Sequence, residues 1–306
     1  MKDIIVHDVG LRDGLQIEEA VVPTEQKLAW LGMLAGAGVD MIQVGSFVHP
    51  TKVPQMADTD LLFRTLNEPG KRPPGVVLSA LVLNEKGLER GLACGVEYYC
   101  MGVSASDTHS RKNTGMSTVE AADRILATAK TAVAAGKPVQ LAVQSAFGCG
   151  YEGVIPEARV LDLVKRFVGA GFRTVSLADT AGHAYPEQVE RLFSQVRALD
   201  PAIEMVCHLH DTFGLGLANA VAALRAGVRG FESSFAGLGG CPFTAVASGN
   251  IATEDLVQLL QRMGRRTDIR LDRLIELAKD AERLFGRTLP GTIHRTGPVP
   301  VVASAG

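Results

Sequence analysis

The sequence predicts an α/β fold: a (β/α)8 TIM barrel with an additional C-terminal helix. Three observations carry this. Eight strand-like runs alternate with eight helical patterns in unbroken order. The strand runs are continuously apolar, as strands covered on both faces are. No Ser- or Pro-rich linker divides the 306 residues, a length that one such barrel can reach. Residues 1–306 therefore read as one domain, with the barrel at about 4–265 and an extra helical segment at about 266–290. An open doubly wound sheet is the alternative.

The elements follow in order. "DIIVHDV" is the first strand, and "EQKLAWLGMLAGAG" is a helix by its apolar residues at spacings of three and four. "VDMIQVGSF" is the second strand, with a helix near 58–67. "GVVLSALVL" and "EKGLERGLACG" form the third unit, and "VEYYCMGVS" with the long helix at 118–136 the fourth. "PVQLAVQSA" and "PEARVLDLVKRFVGAG" form the fifth, and "RTVSLADT" and "PEQVERLFSQVRAL" the sixth. "IEMVCHLH" and "LGLANAVAALRAG" form the seventh, and "RGFESSFAG" and "TEDLVQLLQRMG" the eighth. Several helices end in Ala-Gly or Cys-Gly, the glycine stop signal. "RLDRLIELAKDAERLFG" is the helix outside the eight units.

Composition excludes several classes. A hydrophobic content of 46% supports a large core, and a net charge of −2 gives no basic surface for nucleic acid. No run of eighteen apolar residues is present, so no membrane span is expected. The N-terminus lacks a signal-peptide cleavage pattern, and five scattered cysteines without CxxC spacing read as reduced thiols. The expected location is the cytoplasm.

A barrel puts its chemistry at the C-terminal ends of its strands. Arg12 and Asp13 follow strand one, Gln43 and Ser46 lie on or beyond strand two, and Asp179 and Thr180 end strand six. His208 and His210 end strand seven, where a spacing of two puts both imidazoles on one face. Cys241 and Asn250 follow strand eight. Singly, each has an ordinary reading: Asp179 and Thr180 as helix caps, Cys241 as a small buried hydrophobe, the histidines as a chance pair. Together they converge on one face. Two imidazoles, a carboxylate and an amide oxygen suit magnesium, manganese or cobalt with open water positions better than zinc.

The stretches "DVGLRDGLQ", "SFVHPTKVPQMAD", "GCGYEG", "SLADTAG", "HLHDTFGLGLAN" and "SSFAGLGGCPFTAVASGNIATEDL" resemble the 3-hydroxy-3-methylglutaryl-CoA lyase family, one of the metal-dependent DRE-TIM barrel lyases. The resemblance implies Asp13, His208, His210 and Asn250 as ligands of a divalent metal, Mg2+ or Mn2+. It implies Arg12 as the arginine that stabilises the enolate and Cys241 as the catalytic cysteine of a mobile loop. Asp179 matches an active-site aspartate. Arg111, Lys112 and Asn113 match a loop near the CoA-binding face, and Asn84 and Lys86 lie in another top-face loop. The reaction implied is retro-Claisen or retro-aldol cleavage of a 3-hydroxyacyl-CoA to an acyl-CoA, acetyl-CoA in the family's best-known case, and a keto acid. The partner is this small acyl-CoA, with CoA part of the substrate; a homo-oligomer stays open.

The chain departs from the resemblance at Gln43, where relatives carry glutamate, and at Gln140 and Gln144, where they carry arginine and serine. His49 replaces a serine. Glutamine can hydrogen-bond but cannot act as a base. A citramalyl-CoA-like or bulkier branched thioester is therefore as good a candidate as 3-hydroxy-3-methylglutaryl-CoA. A CoA-independent hydroxy-acid aldolase is disfavoured by Arg111 and Lys112. A non-catalytic acyl-CoA-binding barrel is disfavoured by the intact set of Asp13, His208, His210, Asn250 and Cys241.

Overall fold

The computed structural model describes residues 3–240 and 249–299. Eight parallel strands close a barrel in chain order: β1 (Ile5–Asp8), β2 (Met41–Ser46), β3 (Val77–Leu81), β4 (Tyr98–Ser104), β5 (Val139–Gln144), β6 (Thr174–Ala178), β7 (Glu204–His208) and β8 (Gly230–Ser233). Ile5 to Asp8 pair in register with Gly230 to Ser233, and that ladder shuts the barrel. A TIM barrel is therefore what forms, not an open sheet.

The helices pack outside: α1 (Thr24–Ala37), α2 (Thr59–Leu66), α3 (Glu85–Ala93), α4 (Asp107–Thr114), α5 (Thr118–Ala134), α6 (Glu157–Gly169), α7 (Pro186–Leu199), α8 (Gly216–Arg225), α9 (Thr253–Arg262), α10 (Leu271–Phe285) and α11 (Ile293–Thr296). Their buried residues, such as Leu31 and Leu34 of α1 or Val160 and Val164 of α6, recur at three and four and face the strands. The expected extra helix is α10. It packs on α1, where Trp30 donates to Asp280 at 2.8 Å and meets Phe235 edge-on at 5.2 Å.

Two features depart from the sequence reading. The stretch with Arg111, Lys112 and Asn113 is a helix, α4, rather than a loop. Ser106 caps it, accepting from the His109 amide at 3.1 Å, and Gly115 stops it in the left-handed conformation at φ 78°. After β1, Gly10–Gly14 form a π-helical turn. Such turns are rare, and they present side chains that a regular helix would direct elsewhere.

The lumen is unusually polar for a barrel usually filled by branched apolar side chains. Hydrogen bonds cross it between strands that are not neighbours. His7 of β1 meets Ser79 of β3 at 2.8 Å, and Gln140 of β5 donates to Glu232 of β8 at 2.7 Å. At the opposite end, Arg266 ties the segment between α9 and α10 to the barrel. It donates to the Ile4 carbonyl at 3.0 Å and pairs with Asp40, which itself accepts from the Val6 amide.

Arg266 is almost fully buried. Arg266→Ala should therefore remove this buried ion pair with Asp40 and lower unfolding free energy by about 3 kcal/mol or more, read from denaturant midpoints.

Candidate active site

The strand ends of β1 and β7 bring three donor atoms together. Asp13 Oδ2 lies 3.8 Å from both His208 Nε2 and His210 Nε2, and the two imidazole nitrogens are 3.2 Å apart. The centre of this triangle is roughly 2.1 Å from each corner, the length of a bond from a divalent metal to nitrogen or oxygen. His208 ends β7, and His210 lies just beyond it, in a bridge to Asn250. The expected shared face of the two histidines is thus present, although only one of them is in the strand.

Glu232 orients the first imidazole. His208 Nδ1 donates to Glu232 Oε2 at 3.0 Å, so its Nε2 lone pair is the one turned toward Asp13. Burial opposes charge on Glu232, but His208, His7 and Gln140 hold its pKa down to about 2. Burial also opposes charge on His208, yet Glu232 and Asp13 leave its pKa above the ordinary value. Burial would raise the pKa of Asp13; Arg12 and the two imidazoles hold it well below the usual carboxylate range. A negative, hydrogen-bonded donor set of this kind attracts a cation.

Asn250 fits this set through an unsatisfied atom. Its Nδ2 donates to Asp13 Oδ2 at 2.8 Å and to the Leu238 carbonyl at 3.1 Å. Its Oδ1, the atom a cation would need, is buried and has no hydrogen-bond partner. A turn of the amide exchanges the two. Gly239 makes room for this side chain: a Cβ there would stand 2.6 Å from Asn250 Nδ2, and φ is +106°.

Asp13, His208, His210 and Glu232 border a cavity of about 350 Å³. Arg12, on the π turn, donates to Gln43 and Asp13 at its floor. Gln43 Nε2 is buried there without a partner. Gln140 and Gln144 also line the cavity, as do Lys112 and Asn113 at its rim. Lys112 lies over the Tyr151 ring at 4.6 Å. The next residue, Glu152, anchors the start of α4 by accepting from Ser106 Oγ and the Thr108 amide, each at 2.8 Å.

Four expectations need correction or qualification. Arg111 turns to Asp107 on the surface at 2.8 Å and does not border the cavity. Asp179 does not border it either. Its carboxylate accepts from the His183 and Ala184 amides at 2.8 and 3.1 Å, so it braces the loop after β6 as a cap would; its neighbour Thr180 faces the cavity. His49 is exposed beside Thr51 and does not border the cavity that Gln43, Gln140 and Gln144 line. Cys241 lies outside the described residues. Glu232 and His7 were not singled out in the sequence, although a charged or titratable residue amid an apolar barrel strand is itself a signal.

Fold and site together define a TIM-barrel enzyme with three donor atoms, placed so that they could hold a cation, beside an arginine. The chain belongs to the HMGL-like family, the carbon–carbon lyases of the hydroxymethylglutaryl-CoA lyase type, whose model matches residues 3–280. It is 38% identical to hydroxymethylglutaryl-CoA lyase YngG of Bacillus subtilis (strain 168), covering 94% of this chain and 95% of the relative. It is 36% identical to (R)-citramalyl-CoA lyase of Chloroflexus aurantiacus, covering 99% and 98%. An HMG-CoA lyase structure from Acinetobacter baumannii, in complex with coenzyme A and 3-methylmalate, superposes with a TM-score of 0.90 at 35% identity, covering 98% of this chain and 97% of that one.

Glu232→Gln keeps the shape but removes the charge that polarises His208. It should weaken Mn2+ binding by roughly 10- to 100-fold in a competition titration against a fluorescent chelator. Unchanged affinity would separate Glu232 from the cation site.

Proposed function

We propose that this chain cleaves a 3-hydroxyacyl-CoA to a shorter acyl-CoA and a keto acid, using Mg2+ or Mn2+ held by Asp13, His208, His210 and Asn250. The observation that carries this reading is the donor triangle standing beside Arg12 in one cavity with Lys112 at its rim. The family's named relatives act on CoA thioesters. Among the described residues, Cys94, Cys100, Cys149 and Cys207 are free thiols, which fits a reducing cytoplasm. Among the described residues, no helix is long and apolar enough to cross a membrane.

When bound, a divalent cation supplies the Lewis acidity that lowers the pKa of the substrate hydroxyl. The protein's own groups do the rest. As the hydroxyl loses its proton to solvent in the open cavity, its carbon becomes the carbonyl of the keto acid, the C2–C3 bond breaks and that bond's electron pair moves into the thioester as an enolate. Arg12, held in place by Gln43 and Asp13, donates to the thioester oxygen where that charge collects. The Cys241 thiol then gives a proton to the enolate carbon. Lys112 and Asn113 meet the CoA arm at the rim. Asp179 supports this arrangement through its loop rather than by touching substrate.

The glutamines favour a substrate shifted from 3-hydroxy-3-methylglutaryl-CoA. Gln43 has an unpartnered amide N–H group at the cavity floor, a donor where a glutamate would accept. A citramalyl-CoA-like or branched hydroxyacyl-CoA offers an oxygen for it.

Arg12→Ala and Cys241→Ala should each lower turnover at least about a hundredfold with the far-ultraviolet dichroism unchanged. Chelation should abolish activity, and added Mg2+ or Mn2+ should restore it. Near-parent turnover in both variants would refute the chemistry assigned here.

The parent should turn over 3-hydroxy-3-methylglutaryl-CoA slowly against a panel of hydroxyacyl-CoA thioesters. Gln43→Glu should change that rate by less than about tenfold, the low end of what a recovered general base contributes. A larger gain would make Gln43 a lesion in an ordinary lyase rather than a mark of changed substrate.

A further inference from the structure

We infer that His7, Cys100 and Glu232 form a second cation site in the barrel lumen, next to the first and selective for softer divalent ions such as Zn2+, Cd2+ or Co2+. The three come from β1, β4 and β8. His7 and Cys100 each offer one ligand atom and Glu232 a carboxylate oxygen, all within 4.8 Å of one another. Each residue is at least nine-tenths buried.

An orphaned ring nitrogen of His7 points to a missing cation. His7 Nε2 lies 2.8 Å from Ser79 Oγ, which also lies 3.4 Å from the Ile42 carbonyl. The opposite nitrogen, Nδ1, is buried without a hydrogen-bond partner and faces Glu232 Oε1 at 3.6 Å. A buried polar atom left unpaired in a water-poor lumen is costly. A cation between Nδ1 and the carboxylate removes that cost, with the ring proton on Nε2 toward Ser79.

The donor chemistry selects the cation. An ion with two positive charges, a thiolate, a carboxylate and a neutral imidazole sum to zero, so little net charge is buried. Thiolate and imidazole favour zinc-like ions over Mg2+. Glu232 Oε1 already accepts from Gln140 Nε2, and a carboxylate oxygen has a second lone pair to offer. Burial pushes the Cys100 thiol up to about 12, so the incoming ion displaces one proton from sulfur to solvent through the cavity that Cys100 and Glu232 border. Burial likewise keeps His7 neutral at physiological pH, lowering its pKa to about 4. Because Glu232 also holds His208, an ion here draws charge away from the first site, and the two ions bind with negative coupling.

The test is a Co2+ titration of the whole protein in excess Mg2+. The expected result is a thiolate-to-cobalt charge-transfer absorption in the near ultraviolet that saturates at one equivalent. Cys100→Ser should remove it, His7→Ala should weaken Co2+ binding at least about tenfold, and Cys241→Ser should leave it in place. Calorimetry in two buffers of different ionisation enthalpy should show one proton released per ion. The inference is overturned by no such band, by a band that Cys241→Ser removes, or by one that neither Cys100→Ser nor His7→Ala changes. None of these readouts uses lyase activity, so this result and the lyase assignment stand or fall separately.

Discussion

The Glu232 carboxylate is the constraint around which the centre of the barrel is built. A buried carboxylate is costly unless its oxygens are occupied by donors. Here Gln140, Ser176 and His208 reach it from β5, β6 and β7. The His208 bond joins register partners on adjacent strands, but the Gln140 and Ser176 bonds come from strands that do not neighbour β8 and are short only because the sheet is closed. In an open sheet, residues on β5 and β8 would be three strands apart, and the acid would face solvent or an apolar layer. The closure that the β1–β8 ladder completes is therefore also what makes this acid tolerable. In return the acid fixes the ring of His208 and the nitrogen it turns toward Asp13.

From that ring outward, the site is a sequence of restrained side chains. Asp13 is placed by the π turn after β1, which also presents Arg12 to the same cavity. His210 is held by the bridge between its strand end and Asn250. Asn250 reaches inward past Gly239, where no side chain fits. Polar residues from four chain regions thus meet with little freedom, which is the preorganisation that charge stabilisation in a catalytic site requires. The rim is built differently. There, Glu152 and Tyr151 on one short loop engage the start of α4 and its Lys112, so the basic end of that helix is set by a neighbouring loop rather than by the barrel wall.

Much of this was legible in the sequence, for a physical reason: the periodicity of buried strands and the rule that barrel chemistry sits at strand ends are both local signals. The i, i+2 spacing of His208 and His210, and the position of Asp13 just past β1, needed no tertiary information. Glu232 needed more. In the string "RGFESSFAG" a glutamate looks like an outward-facing position, and only closure reveals that it points at Gln140. Arg111 and Lys112 were read alike because sequence neighbours share a loop. On a helix they diverge by about 100°, so one pairs with Asp107 and the other faces the cavity. Asp179 reads in the sequence as either a helix cap or an active-site acid; its carboxylate binds two loop amides, and it caps no helix, since α7 begins at Pro186.

The glutamines at 43 and 140 make sense as a pair. The family resemblance implies a glutamate at the first position and an arginine at the second, and against that expectation two opposite charges are replaced by two neutral amides. The formal charge of the lumen is then unchanged, but its distribution is not. Without an arginine at 140, Glu232 relies on His208, Ser176 and the Gln140 amide, all weaker partners than a bidentate guanidinium. Without a carboxylate at 43, Arg12 pairs with Asp13 and meets at position 43 a neutral amide oxygen. Both changes loosen the charges at the cavity floor from one another. Arg12 is left with more of its field to spend on a bound oxyanion, and Glu232 with an oxygen whose second lone pair is free beside His7 and Cys100. A substrate that places its own oxygen near Gln43 meets an amide donor instead of a negative charge, and it is this local difference, rather than any change in the barrel, that can shift which thioester is bound.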